Sequence, residues 1–220
     1  MTRVLPPSPI DVSWDHNSHY HEHLLRQAPS GRSRALDVGC GDGRFARVLA
    51  QHGLAVDAVD ASAEMVALAR QRTPVRLPVR YQHARLEEAE LAPEGYGFVS
   101  AIASVHHMPF GPTLERLASA LEPGGTLAVL GLYREEGWED VAASLAALGP
   151  QWAIGLGVRA ARLVTGTPDL ARMSGHRDMP VRDPEMSLRE IAVAAARHLP
   201  GARLRRLLMW RYSLVYTRPE

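Results

Sequence analysis

The chain has 220 residues, 25 Lys+Arg against 24 Asp+Glu, and a formal net charge of +1. At 46% hydrophobic residues it is too apolar for an intrinsically disordered segment, and long enough to bury a core without help from a disulfide or structural metal. Cys40 is the only cysteine, which excludes an internal disulfide and any thiolate-rich metal cluster.

The basic residues are all arginine and are scattered. Their densest group, Arg203, Arg205 and Arg206, is interleaved with Leu204 and Leu207, the pattern of a strand with one solvated face. That is no electrostatic footprint for a polyanion. No stretch approaches the roughly 20 apolar residues of a membrane span, and Met1 to Ile10 is proline-rich with no apolar run. A cytoplasmic protein without nucleic-acid or membrane partners is expected, acting as a monomer or homodimer.

Residues 1–33 read as an N-terminal cap segment, with a short helix around Leu24 and Leu25 that stops before Pro29-Ser30-Gly31. Ala35 to Val38 is a short apolar run ending at Gly39-Cys40-Gly41-Asp42-Gly43; Phe45, Val48 and Leu49 then recur at helical spacing up to Gly53. Leu54 to Val59 predicts a second strand closed by Asp60, with Ser62 capping the next helix. Val79 to His83 predicts a third strand. Phe98 to Ala103 predicts a fourth, apolar enough to be covered on both faces. Pro112 is expected in the first turn of a helix that ends at Gly124-Gly125, and Thr126 to Leu130 forms strand five.

The alternation breaks over 134–186. Helices are expected over Trp138 to Leu148 and Ile154 to Val164. An insertion of this length with its own apolar residues suggests a lid over the substrate, with Trp138 and Trp152 either packing it onto the domain or touching the substrate. Residues 187–220 complete the chain with a helix, Ser187 to His198, and two strands, Ala202 to Met209 and Tyr212 to Thr217. Strands alternating with helices over residues 34–132 imply a parallel sheet whose ligands bind at the carboxyl ends of the strands.

The glycine segment carries the chemistry. A glycine turn between strand and helix lets backbone approach a ligand closely, and Asp60, closing the next strand about twenty residues on, is placed to accept hydrogen bonds from both hydroxyls of an adenosine ribose. Together they point to an adenosine-containing cofactor.

Leu36 to Gly43, Asp60 with Ser62 and Met65, His106-His107 after strand four and Leu121 to Gly125 before strand five resemble the class I S-adenosylmethionine-dependent methyltransferases, in particular the small-molecule branch that includes quinone-biosynthesis enzymes. The resemblance spans roughly residues 34–132. It implies one Rossmann-like α/β domain, a three-layer sandwich with a seven-stranded mixed sheet whose last strand is antiparallel. It further implies that Asp37, Gly39, Cys40 and Gly41 line the methionyl end of S-adenosylmethionine, that Asp60 holds the ribose and that Ala61 and Met65 border the adenine. Tyr20 and Ser104 join the cofactor-binding set. The acidic residue that often follows strand three in this family is replaced by His83-Ala84-Arg85, so Ala84 and Arg85 are expected to meet the adenine through backbone. Gly97 stands where the family usually has an aspartate, a departure read as neutral.

His106 and His107 are candidates for a general base, or else serve packing; Tyr20, His21 and His23 are further base candidates. The run His16, His19, His21, His23 could hold a metal, but no carboxylate or thiolate pattern completes such a site, and a segment folding over the cofactor is preferred. The expected activity is methyl transfer to a small apolar or aromatic metabolite, with no metal. Two rivals are a relative that binds the cofactor without transferring methyl, pericyclase-like or regulatory, and a dinucleotide-dependent oxidoreductase. The latter is disfavoured because the glycines here are spaced Gly-x-Gly-x-Gly.

Overall fold

The computed structural model describes residues 17–29, 33–136, 183–208 and 210–220. The helices expected over Trp138 to Leu148 and Ile154 to Val164, both of those tryptophans and most of the inserted element lie outside the described residues.

In chain order the elements are α1 (His21–Leu25), β1 (Arg34–Val38), α2 (Arg44–Gln51), β2 (Ala55–Asp60), α3 (Ala63–Arg72), β3 (Val79–His83), β4 (Tyr96–Ile102), α4 (Phe110–Ala120), β5 (Leu121–Leu132), α5 (Leu188–His198), β6 (Arg203–Leu207) and β7 (Arg211–Thr217). The strands form one seven-stranded sheet in the order β3-β2-β1-β4-β5-β7-β6. The first five strands run parallel, while β7 lies between β5 and β6 and is antiparallel to both. This is the mixed Rossmann-like sheet expected from the sequence.

Helices cover both faces. On one side Leu114 and Leu117 of α4 and Ile191 and Ala195 of α5 pack with Leu36, Val38, Val99 and Leu127. On the other, Leu24 of α1, Phe45 and Leu49 of α2 and Val66 of α3 pack with Val56, Phe98 and Leu130. Each fully buried leucine contributes about 1.5–3 kcal/mol. β4 is buried along its first six residues, as a strand covered on both faces must be. Ser62 caps α3 by accepting from the Met65 amide at 3.3 Å, and Ser187 with Glu190 forms a reciprocal capping box on α5.

α4 starts at Phe110 after Pro109, which puts Pro112 in its first turn; the N–H groups of a first turn have no intrahelical acceptor in any case, which is why proline fits there. Two boundaries differ from the sequence expectation. Gly124-Gly125 does not close that helix. The chain passes directly from Ala120 into β5, with Leu121 paired to Tyr96 and the Gly124 amide bonded to the Arg218 carbonyl. β4 begins at Tyr96, with an irregular register between Tyr96 and Phe98. A Cβ on the intervening Gly97 would lie 2.0 Å from Ser33 Oγ and 2.7 Å from Glu122 Oε1, so a side chain there would displace the ends of both.

Candidate active site

The chain goes outward from β1 to β2 and β3 on one side, then returns to place β4 on the other. The loops after β1 and β4 therefore diverge, and a crevice opens between them. It holds a cavity of about 630 Å³, within the roughly 300–1,000 Å³ of small-molecule sites. Residues following four strands line it: Gly39 to Asp42 after β1, Asp60 to Ser62 after β2, Ala84 to Glu87 after β3, and Ala103, Ser104, His107 and Met108 after β4.

Asp37 is a buried acid on the cavity wall. The parallel register sets Asp37 opposite Ser100, whose hydroxyl donates to Asp37 Oδ1 at 2.8 Å. The other oxygen, Oδ2, is buried with no hydrogen-bond partner among the described residues. Burial pushes the Asp37 pKa up to about 7, with the nearby Asp60 adding to the rise and the Ser100 bond opposing it. An unpartnered buried carboxylate oxygen on the wall of a cavity is a polar group prepared for a cationic or hydrogen-donating ligand.

Asp60, at the end of β2, clamps two segments. Its Oδ2 accepts from the Gly41 amide and its Oδ1 from the Ser62 amide, each at 2.8 Å. One carboxylate thus joins the glycine turn to the start of α3, and each oxygen has a further lone pair to offer.

The glycine turn is held from several sides. The Gly39 and Cys40 amides both donate to the Val59 carbonyl, Arg47 donates to the Asp42 carbonyl at 2.7 Å, and Arg72 pairs with the Asp42 carboxylate. Gly39 adopts φ +67, and a Cβ there would come within 2.3 Å of Ser104 Cβ. Ser104 itself bonds the Val38 carbonyl at 2.9 Å, so the tips of β1 and β4 touch only because Gly39 has no side chain. Cys40 borders the cavity, but burial holds its thiol well above the ordinary value, with Asp37 and Asp60 adding to the effect. It remains a protonated wall residue.

Of the residues selected from sequence, Asp37, Gly39, Cys40, Gly41, Asp60, Ala61, Met65, Ala84, Arg85, Ser104 and His107 all line this cavity. Three candidates lie elsewhere. Tyr20 is buried, and its hydroxyl donates to the Leu208 carbonyl at 3.0 Å; α1 packs it into the core below the crevice. His23 Nε2 lies 3.1 Å from Ser213 Oγ, and burial lowers its pKa, helped by Arg205 and Arg26. His106 borders a second, smaller cavity, although its ring lies only 4.0 Å from that of His107. The two histidines sit in a 3-10 turn, Val105–His107, and their rings stay in contact while bordering different cavities.

His21 does reach the crevice, beside Phe45 at a ring separation of 4.9 Å. His16 lies outside the described residues; among those described, no three His, Cys, Asp or Glu side chains are placed to share a metal ion.

The sequence reading missed Phe45, Ile102, Ala103 and Met108, which supply apolar wall. Ala103 has φ +50, a left-handed conformation that L-residues rarely adopt, and its amide is held by the Leu130 carbonyl at 2.7 Å. The sequence places Ala103 inside strand four, whereas β4 ends at Ile102; the apolar character of Phe45 pointed only to core.

Comparison with known proteins agrees with this geometry. Residues 35–125 match the methyltransferase domain family. An uncharacterized methyltransferase of Mycobacterium tuberculosis is 32% identical over 212 residues, covering 96% of this chain and all of that protein. A ubiquinone biosynthesis O-methyltransferase of Xanthomonas campestris is 35% identical over 106 residues, covering 46% of this chain and 44% of its own. Among solved structures, a protein of Pyrococcus horikoshii shares the fold at a TM-score of 0.64 and 20% identity, over 96% of this chain and 94% of that one. From the glycine turn, the acid that closes β2 and a relative matched along nearly its whole length, the chain belongs to the class I S-adenosylmethionine-dependent methyltransferases.

Proposed function

We propose that this enzyme methylates a small apolar or aromatic metabolite, using the residues around the larger cavity to hold S-adenosylmethionine. The observation that carries the assignment of roles is the arrangement of two acids, Asp37 with a buried unpartnered oxygen and Asp60 at the neighbouring strand end, on one cavity. Asp37, Gly39, Cys40 and Gly41 form the methionyl subsite, where a carboxylate suits an ammonium or sulfonium charge. Asp60 takes the ribose hydroxyls, and Ala61 and Met65 flank the adenine with Ala84 and Arg85 along its edge. Ser104 acts through Gly39, keeping the turn close to β4.

When bound, the cofactor supplies a methyl group already made electrophilic by a sulfonium centre. The work left to the protein is orientation. Holding two reactants in near-attack geometry is worth about 7–11 kcal/mol. Phe45, Ile102 and Met108 present apolar wall that excludes water. His107, exposed at the crevice, can take a proton from an acceptor that must lose one, a contribution of about 10² to 10⁴-fold in rate.

The small, apolar acceptor class is supported by the apolar character of the inserted element in the sequence and by the partial match to a quinone-pathway enzyme. Isothermal calorimetry with S-adenosylhomocysteine tests the cofactor site, and incubation with S-adenosylmethionine and a metabolite extract tests the acceptor. Appearance of S-adenosylhomocysteine together with a small apolar metabolite heavier by one methyl group is the expected result. Modification confined to protein or nucleic acid would overturn the acceptor assignment.

A further inference from the structure

A second cavity, of about 180 Å³, lies on the α4 and α5 side of the sheet next to the turn that carries His106 and His107. Its described lining is mainly apolar, with Phe110, Met186, Ile191 and Leu132 as walls. Met108 borders both cavities, so the two are separated by little more than the 3-10 turn after β4. The volume is below that of a complete ligand site and suits a single ring or short chain.

Tyr212 of β7 also lines this cavity, and it is 1% exposed. Its ring lies across β5: a Cβ on Gly131, its cross-strand partner, would meet Tyr212 Cζ at 2.2 Å and Oη at 2.3 Å. A glycine within a buried strand weakens that strand, and here the space it leaves is occupied by the tyrosine ring. Among the described residues the Tyr212 hydroxyl has no hydrogen-bond partner. Phenylalanine would fill the same volume, so packing alone does not call for the hydroxyl. Burial, with no opposing charge or hydrogen bond, raises the phenol well above its ordinary value. The group is therefore a neutral O–H donor across the working pH range.

We infer that this cavity is the acceptor subsite for one apolar ring or short acyl chain, and that the Tyr212 hydroxyl donates a hydrogen bond to an oxygen carried on it. Tyr212 would then determine specificity, selecting oxygen-bearing acceptors over hydrocarbon isosteres. This deepens the methyltransferase reading and rests on it, because Met108 joins the subsite to the cofactor cavity.

The test uses the full chain with 13C-labelled methionine methyl groups and saturating S-adenosylhomocysteine. Acetophenone is the oxygen-bearing probe and ethylbenzene its counterpart without oxygen. S-adenosylhomocysteine is expected to shift the Met65 signal. Acetophenone should then shift Met108 and Met186 but leave Met65 unmoved, and bind about five-fold more tightly than ethylbenzene, the size of one net hydrogen bond. In Tyr212→Phe that preference should be lost or reversed in favour of ethylbenzene, because the ketone oxygen is left without a donor, while the affinity for S-adenosylhomocysteine is retained. A preference that persists in Tyr212→Phe, or no probe response at Met108 and Met186, overturns the inference and leaves the cofactor site standing. A missing Met65 response overturns the cofactor assignment and this inference together. Met186→Trp provides an independent check: by filling the cavity it should abolish the acetophenone shift at Met108, and an unchanged shift would refute the assignment.

Discussion

Asp60 accepts the amide of Gly41 at 2.8 Å, so the acid expected to meet the ribose also fixes the shape of the turn expected to meet the methionyl group. Substitution at Asp60 should therefore act twice. Asp60→Ala is expected to weaken S-adenosylhomocysteine binding by about 1.5–3 kcal/mol and to lower unfolding free energy by about 1–3 kcal/mol through two orphaned amides. Calorimetry and urea denaturation separate the effects. Asp60→Asn keeps one acceptor and should retain more stability than affinity; loss of stability alone would make Asp60 purely a turn clamp.

Asp37 predicts a pH dependence of defined sign. Its folded pKa, about 7, lies above the ordinary value of 3.8. The folded state thus holds the proton more tightly than the unfolded chain, and this group's contribution to stability is fully present below about pH 4 and declines as pH rises toward 7. Asp37→Asn should be more stable than the parent at pH 8, with the advantage shrinking toward pH 4 in denaturation series. A cationic ligand favours the carboxylate, so binding of S-adenosylmethionine should strengthen as pH rises through 7 and release protons. Calorimetry in two buffers of different ionisation enthalpy measures that release.

Gly39→Ala places a methyl group 2.3 Å from Ser104 Cβ at a φ of +67. A clash and a left-handed alanine together should cost about 2–4 kcal/mol, lowering Tm by roughly 4–16 °C for a chain of this size. Gly41→Ala, which meets no atom within 4 Å at φ +53, carries the backbone penalty alone and should lose less. Scanning calorimetry of the two variants checks the order.

His107 lines the cofactor cavity and His106 does not. His107→Gln is expected to lower kcat by about 10²-fold or more where the acceptor must be deprotonated, with little change in affinity for S-adenosylhomocysteine. His106→Gln should instead alter KM for the acceptor. Steady-state kinetics on both variants distinguishes the roles, and identical behaviour would make the pair structural.

The alternating core was legible because its signals are local: an apolar run, a glycine cluster, then helical spacing. The sites after β1, β2 and β3 followed from the same logic. What could not be read locally were contacts between distant strand ends. Nothing within residues 35–43 announces that Gly39 abuts Ser104, and nothing in the pair His106-His107 shows that two touching rings border different cavities. Gly124 looked like a helix terminator because its partner, Arg218, lies at the other end of the sequence. Tyr20 falls outside the cavity lining; an aromatic residue that seals a core and one that covers a ligand have the same composition signal.

The sheet ends at β6 with Arg203, Arg205 and Arg206 exposed. Two copies brought side by side along that margin would juxtapose rows of guanidinium groups, and lengthening of the sheet from one molecule to the next would meet repulsion before any ladder formed. Open-ended polymerisation through this strand is thereby discouraged, and a homodimer built on a helical face would avoid the penalty.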